Sequence, residues 1–157
     1  MNIEFIVVGK TDLKQVSELV EMYAKRINFY LKFNITTLPD LKNTKNLSVE
    51  QQKTQEGVML LKNFNDSDFV VLMDENGREF SSVKFADYLE KKMLASTKRL
   101  CFVIGGPYGF SPEVYARAND KISLSKMTFS HQIVRALFCE QLYRALTIIK
   151  GEPYHHQ

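Results

Sequence analysis

No motif for a metal centre or a nucleophile occurs in the 157 residues. HExxH, a paired CxxC and an acidic EF-hand loop are all missing, which removes the usual zinc and calcium sites, so no metal is expected. GxxxxGK[ST] is missing too. The first strand-like segment ends VVGKTD, with one glycine where a dinucleotide fold wants GxGxxG. Without GxSxG, and with neither cysteine beside a histidine, covalent catalysis has no evident nucleophile. The two cysteines, Cys101 and Cys139, lie in apolar surroundings and read as buried free thiols of a reducing compartment. No apolar run reaches membrane-spanning length, and residues 1–4 lead into a strand rather than a signal peptide, so the expectation is a cytoplasmic protein. Charge of one sign is scarce as well. Twenty-one Lys and Arg meet 18 Asp and Glu, and the net +3 permits nucleic acid as a partner without demanding it.

What is present is an alternation of short apolar runs with amphipathic stretches. It predicts one α/β domain over residues 1–157 around a mostly parallel sheet. Strands are expected at 3–9, 33–38, 68–74, 99–106 and 121–125, the third stopping at the turn-forming ENG. A helix over 12–30 takes Asp12 as its N-cap and lines up Val16, Leu19, Val20, Tyr23 and Ile27 on one face. Ser48 and Gln51 have capping-box spacing, a third helix spans 82–94, and Ser111-Pro112-Glu113 opens a short helix that ends near Asn119. Ser130 caps a last helix running to about Lys150, where Gly151 ends it. That helix is apolar on two sides, through Val134, Leu137, Phe138, Leu142, Leu146 and Ile149 widened by Ile133, Ala136 and Tyr143. It is either sandwiched in the core or shared with a second subunit.

The stretch VIGGPYGFS, 103–111, admits two readings. Either its glycines serve a tight corner only, or they leave backbone bare for a ligand. In open α/β sheets ligands bind beyond the carboxyl ends of the strands, and Met73, Gly105-Gly106 and the segment after Ser123 all fall on that rim. A pocket lined there by main-chain N–H and C=O suits a ligand with an adenine edge and a flat apolar face. Both readings stand on the residues alone.

VIGGPYGFS, ISLSKMTFSHQIVRALFCEQLYRA and the closing PYHHQ together resemble the ribosomal RNA large subunit methyltransferase H family, a minimal member of the SPOUT class of knotted methyltransferases. The likeness runs over nearly the whole chain. It implies a single-domain α/β knot fold whose C-terminal segment is threaded into a trefoil knot, an exception to the rule that chains do not knot. It also implies a homodimer, S-adenosyl-L-methionine as methyl donor, and methylation at N3 of a pseudouridine in a hairpin loop of 23S ribosomal RNA on the assembled ribosome. Carried onto this sequence, the donor site falls on Met73, where the family usually has leucine, on Gly105, and on Leu124, Ser125, Lys126, Met127, Thr128 and Phe129.

The N3 proton of the acceptor must leave, or the anion must be stabilised on the flanking carbonyl oxygens. The catalytic candidates are His155 as base or proton relay, Arg135 as a cation facing the developing charge, and Tyr154 as a residue that stacks on the base or orients it. Each has a plainer reading: Arg135, like Arg144, as a solvated partner of Glu140, and the Tyr-His-His tail as a frayed end; His131, one residue past the cap of the last helix, either lines the knot or is a hydrogen-bonded packing residue. Where many family members continue Pro-Tyr-His with Arg or Lys, His156 stands here, a weaker phosphate ligand than a permanently charged arginine. Two rival functions share the pocket. One is a non-catalytic RNA- or ribosome-binding module, and the other is a SPOUT methyltransferase acting on transfer RNA or a ribose hydroxyl.

Overall fold

The computed structural model describes residues 1–156; Gln157, the last residue of the quoted tail, lies outside them. Five strands alternate with helices: β1 (Asn2–Val8), α1 (Lys14–Ile27), β2 (Phe33–Leu38), α2 (Val49–Leu61), β3 (Phe69–Glu79), α3 (Ser82–Leu94), β4 (Arg99–Ile104), α4 (Pro112–Arg117), β5 (Asp120–Ser123) and α5 (Ile133–Ile149). The strand order is β2-β1-β4-β3-β5, and all four pairings are parallel. The expected parallel α/β sheet is therefore found.

Because side chains alternate across a strand, each strand feeds two cores. Ile3, Phe5, Val7, Leu100, Phe102 and Ile104 face α1, α3 and α5, whereas Ile6, Val8, Cys101 and Val103 face α2 and α4. Phe138 of α5 wedges between Phe5 and Phe102, with ring centroids 4.6 and 4.8 Å away. Both cysteines are free and buried, and burial pushes each thiol up to about 12. Near the amino-terminal ends of β1, β3 and β4 Arg99 reaches buried Asp68 at 2.5 Å and Glu4 at 3.8 Å, so these carboxylates are not left unpaired. No helix of the described residues is long and apolar enough to cross a membrane.

Three expectations need correction. Asp12 does not cap α1. Gln132, at the entrance to α5, accepts from the Asp12 and Leu13 N–H groups at 2.7 and 3.4 Å, and the helix starts only at Lys14. A side chain 120 residues away has replaced the local cap. Leu19, placed by its spacing on the buried face, is 45% exposed. β3 does not end at Asp74. Asp74 Oδ1 accepts from Asn76 N–H at 2.8 Å to make the turn, but the chain then rejoins the ladder, so that Met73 and Arg78 both pair with Ile122. Gly77 permits this return, because a Cβ there would stand 2.5 Å from the Ile122 backbone.

The remaining caps follow the sequence. Ser48 and Gln51 form the capping box, and Ser111 accepts from Val114 N–H; Ser81, which sequence reasoning passed over, caps α3 by accepting from Lys84 N–H. Ser130 Oγ accepts from Ile133 N–H at 3.1 Å, one turn before α5 becomes regular. At the far end Gly151 takes φ +70°, its N–H donating to Ile148 and that of Glu152 to Thr147, the Schellman arrangement.

Candidate functional site

Beyond the carboxyl ends of β3, β4 and β5 lies a cavity of about 410 Å³. One wall is Met73 with the Asp74–Asn76 turn, the second is the glycine turn from Ile104 to Phe110, and the third is the segment from Ile122 to Phe129; His131 and Val134 complete it. All eight residues expected to hold the methyl donor line this one space: Met73, Gly105, Leu124, Ser125, Lys126, Met127, Thr128 and Phe129.

The local sequence explains each wall. Gly105 is buried against Phe110, and a Cβ on it would come within 2.8 Å of that ring. Gly109 takes φ +82°, a conformation that favours glycine, to turn the chain toward Ser111 and α4. The third wall has left the sheet. Among the described residues no backbone–backbone hydrogen bond involves residues 125–129; Ser123 Oγ donates to the Ser125 carbonyl at 2.9 Å, and Met127 N–H donates to Ser125 Oγ at 3.0 Å. Two serine hydroxyls thus shape a loop whose other main-chain groups remain available to a ligand. On the first wall Tyr115 O–H donates to Asp74, and burial together with that bond pushes the phenol up to about 12.

This chemistry fits an adenosyl methyl donor. Met73, Ile104, Leu124 and Phe129 supply apolar surface for a flat base, and the adjoining main chain supplies donors and acceptors for its polar edge. Among the described residues no group of three His, Cys, Asp or Glu is gathered.

The catalytic candidates lie elsewhere on the chain. Tyr154 and His155 follow α5, while the cavity borders its N-terminal end. A 17-residue helix is about 25 Å long, so one chain holds the two sets roughly a helix length apart. The tail is docked rather than frayed. Tyr154 O–H donates to Glu140 Oε1 at 3.0 Å, the Arg144 guanidinium lies 4.7 Å from the Tyr154 ring centre, and Tyr143 meets that ring edge-on at 4.7 Å. Burial, then the neighbouring Tyr23 hydroxyl and Glu140, raise the Tyr154 phenol above its ordinary range, so it stays a donor. Arg144 donates to Glu140 at 2.5 Å and lies 3.2 Å from His155 Nδ1. A guanidinium only donates, so Nδ1 accepts here and the imidazole proton sits on Nε2.

Arg135 is 3% exposed and does not line the cavity. Its terminal nitrogens donate to the Gly9 and Val8 carbonyls, each at 2.8 Å, and to Thr11 Oγ1 at 3.0 Å, while Nε has no partner among the described residues. Burial lowers its pKa, against the pull of Asp40 and Asp12. It is therefore no solvated partner of Glu140; Arg144 alone fills that role. His131 is exposed on the cavity wall rather than packed in the core. Sequence reasoning passed over Glu56, whose Oε1 accepts from Gly106 N–H at 2.7 Å. The available signal was its spacing: Glu56 precedes buried Leu60 by four residues and so shares its helix face.

The family model described as "Predicted SPOUT methyltransferase" matches residues 1–155. Proteins named "Ribosomal RNA large subunit methyltransferase H" from Christiangramia forsetii, Flavobacterium johnsoniae and Parabacteroides distasonis are 58%, 55% and 54% identical to the chain over 157 residues, covering 100% of both sequences in each case. Among solved structures, the tRNA (m1G37) methyltransferase from Aquifex aeolicus superposes with a TM-score of 0.59 at 17% identity, over 100% of this chain and 76% of that one, a likeness of fold alone.

Proposed function

The chain belongs to the SPOUT methyltransferases, in the ribosomal RNA large subunit methyltransferase H family, and from that premise we propose that it methylates N3 of a pseudouridine in a hairpin loop of 23S ribosomal RNA on the assembled ribosome. The observation that carries the reading is the cavity, in which a glycine turn and a segment free of backbone–backbone bonds offer main chain and apolar walls side by side. In this reading the segment after β5 is threaded as a trefoil knot, and the protein works beside the ribosome in the cytoplasm.

Met73, Gly105 and residues 124–129 would hold S-adenosyl-L-methionine, which supplies an electrophilic methyl on a sulfonium. The chain's own work is to align the acceptor, to stabilise the anion left when N3 gives up its proton to solvent water, and to exclude water from the methyl transfer that follows. His155, protonated on Nε2 while Arg144 donates to Nδ1, meets the acceptor as a hydrogen-bond donor to a carbonyl oxygen beside N3. Tyr154, held by Glu140, stacks on or orients the base. Arg135 braces the start of α5 against the end of β1, so it positions the cavity wall.

Because the tail lies a helix length from its own cavity, each reaction chamber needs the tail of a second copy. The exposed apolar residues Ile133 and Leu137 of α5, with Phe129 before them, give a homodimer its surface. RNA is held mainly through shape and phosphate contact, since the net charge is small and no exposed aromatic RNA motif is present.

The test is to incubate the protein with methyl-labelled donor and intact ribosomes, then locate the label in digested RNA. Label in N3-methylpseudouridine of 23S RNA is expected. Label in transfer RNA or on a ribose would move the assignment within the fold, and uptake of donor without transfer would favour a binding module.

A further inference from the structure

Helix α2 touches the glycine turn at two points. A Cβ on Gly57 would stand 2.4 Å from Ser111 Oγ, and a Cβ on Gly106 would stand 2.3 Å from Glu56 Oε2. The two bare positions let α2 close on the turn, and there Glu56 Oε1 accepts from Gly106 N–H at 2.7 Å. The carboxylate is half-buried. Burial raises its pKa most, Asp40 raises it further, and the bond from Gly106 works the other way. A carboxylate kept beside a second carboxylate and partly out of water is an expensive anchor for a loop that a neutral acceptor would hold at lower cost.

We propose that Glu56 is a positioning residue for the methyl donor: its charge-assisted bond fixes the peptide at Gly106 and so aims the main chain of residues 105–109 into the cavity. This inference rests on the donor-binding reading above. The charged groups around Glu56 are Asp40, from the loop after β2, and Lys53 on α2 itself, which share a small cavity of about 150 Å³ with it and with Pro107 to Gly109. Lys53 is engaged by Glu50 at 3.7 Å. Tyr108 is the titratable group on the turn.

When Glu56 is ionised the bond is charge-assisted, and when Glu56 takes a proton the bond falls to a neutral one of about half the strength. Donor affinity in the wild type therefore drops as pH falls through the raised pKa, and Glu56→Gln, which has only the neutral bond, lacks that step. Stability runs the other way. A carboxyl with a raised folded pKa costs the fold stability once pH rises above its ordinary range, and glutamine escapes that cost.

The experiment is calorimetric titration of S-adenosylhomocysteine, the unreactive product, into wild type, Glu56→Gln, Glu56→Ala and Asp40→Asn from about pH 5 to pH 8, with thermal melts on the same samples. Expected are a loss of roughly tenfold or more for Glu56→Ala and roughly threefold to tenfold for Glu56→Gln at the upper pH, the latter converging on wild type at the lower. Asp40→Asn should move the wild-type step to lower pH, and Glu56→Gln should melt no lower than wild type at the upper pH. Should Glu56→Ala fold poorly, the glutamine variant carries the test alone. Wild-type affinity in Glu56→Ala, or a Glu56→Gln pH profile parallel to wild type, overturns this inference and leaves the donor reading standing. Wild type that takes up no nucleoside at any pH overturns both.

Discussion

Arg144 and Glu140 face each other across one turn of α5, guanidinium nitrogen 2.5 Å from carboxylate oxygen, and the C-terminal tail rests on that pair through Tyr154 and His155. The pair thus serves as the seat of the tail. Replacing Arg144 by Met should release His155 and lower methyl transfer roughly tenfold to a hundredfold, since one hydrogen bond to a charged group is worth about 1.5–3 kcal/mol. Donor affinity should stay within about threefold, because the cavity lies at the other end of the helix. Mixing Arg144→Met chains with Gly105→Ala chains should restore activity, as one of the two chambers in a mixed dimer then combines an intact cavity with an intact tail. Activity that stays lost in every mixture would place both sets in a single chain.

Gly105 and Gly109 lie two residues either side of the middle of one turn, at Pro107, yet their substitutions should differ. A Cβ on Gly105 meets the buried Phe110 ring at 2.8 Å, so Gly105→Ala must move either the ring or the turn. We expect roughly 1–3 kcal/mol of destabilisation from overpacking and at least a tenfold loss of donor affinity. Gly109→Ala meets nothing within 4 Å but must hold φ +82°, which costs about 1–2 kcal/mol of backbone strain. Paired melts and calorimetry on the two variants check this: the larger affinity loss belongs to Gly105.

Much of this arrangement is legible from local sequence. The alternation of strand and helix periods fixes the α/β sheet, and the serine caps at 48 and 111 act over three residues, within reach of a local rule. The eight cavity residues were reached through a family likeness, and strand-end logic supplied only the rim. What stayed hidden depends on distant partners. Asp12 loses its cap to Gln132, the turn after Met73 returns to the sheet because Gly77 fits against Ile122, and Arg135 is drawn inward by the Val8 and Gly9 carbonyls at the end of β1, more than 120 residues away. Periodicity marks a face and carries no information about which distant polar group will meet it.

Asp120 gives a pH-dependent measure of how firmly the resumed part of β3 is held. Burial alone would raise its pKa, but hydrogen bonds from Arg78, the Lys121 N–H and Tyr88 outweigh that and lower it. A depressed folded pKa adds stability above the ordinary carboxyl range and loses it as pH falls through the depressed value. Asp120→Asn should therefore melt lower than wild type at neutral pH, and the gap should close in acid. Arg78 is largely exposed, so the difference should be at most about 1 kcal/mol, or a few degrees in a chain of this size. Melting curves that stay equally separated at all pH values would show that the carboxylate's charge is not what matters.

Arg135 can be assigned to the fold or to the chemistry by separating stability from rate. Its guanidinium donates to the Val8 carbonyl at the end of β1, to the Gly9 carbonyl just after it and to Thr11, so Arg135→Met leaves buried acceptors unpaired. Stability should drop by roughly 2–4 kcal/mol, a fall in melting temperature of about 4–16 °C for a chain of this length. Donor affinity should weaken as well, because the start of α5 that Arg135 braces carries Val134 of the cavity wall and follows directly on His131. Once the variant is folded and saturated with donor well below its melting temperature, methyl transfer to ribosomes should return to within about threefold of wild type, as a brace adds nothing specific to the transition state. Arg135→Lys keeps the charge but not the forked geometry, and it should fall between the two in stability and match wild type in saturated rate. A hundredfold loss of rate in folded, donor-saturated Arg135→Met, restored by lysine, would instead place the cation at the developing negative charge.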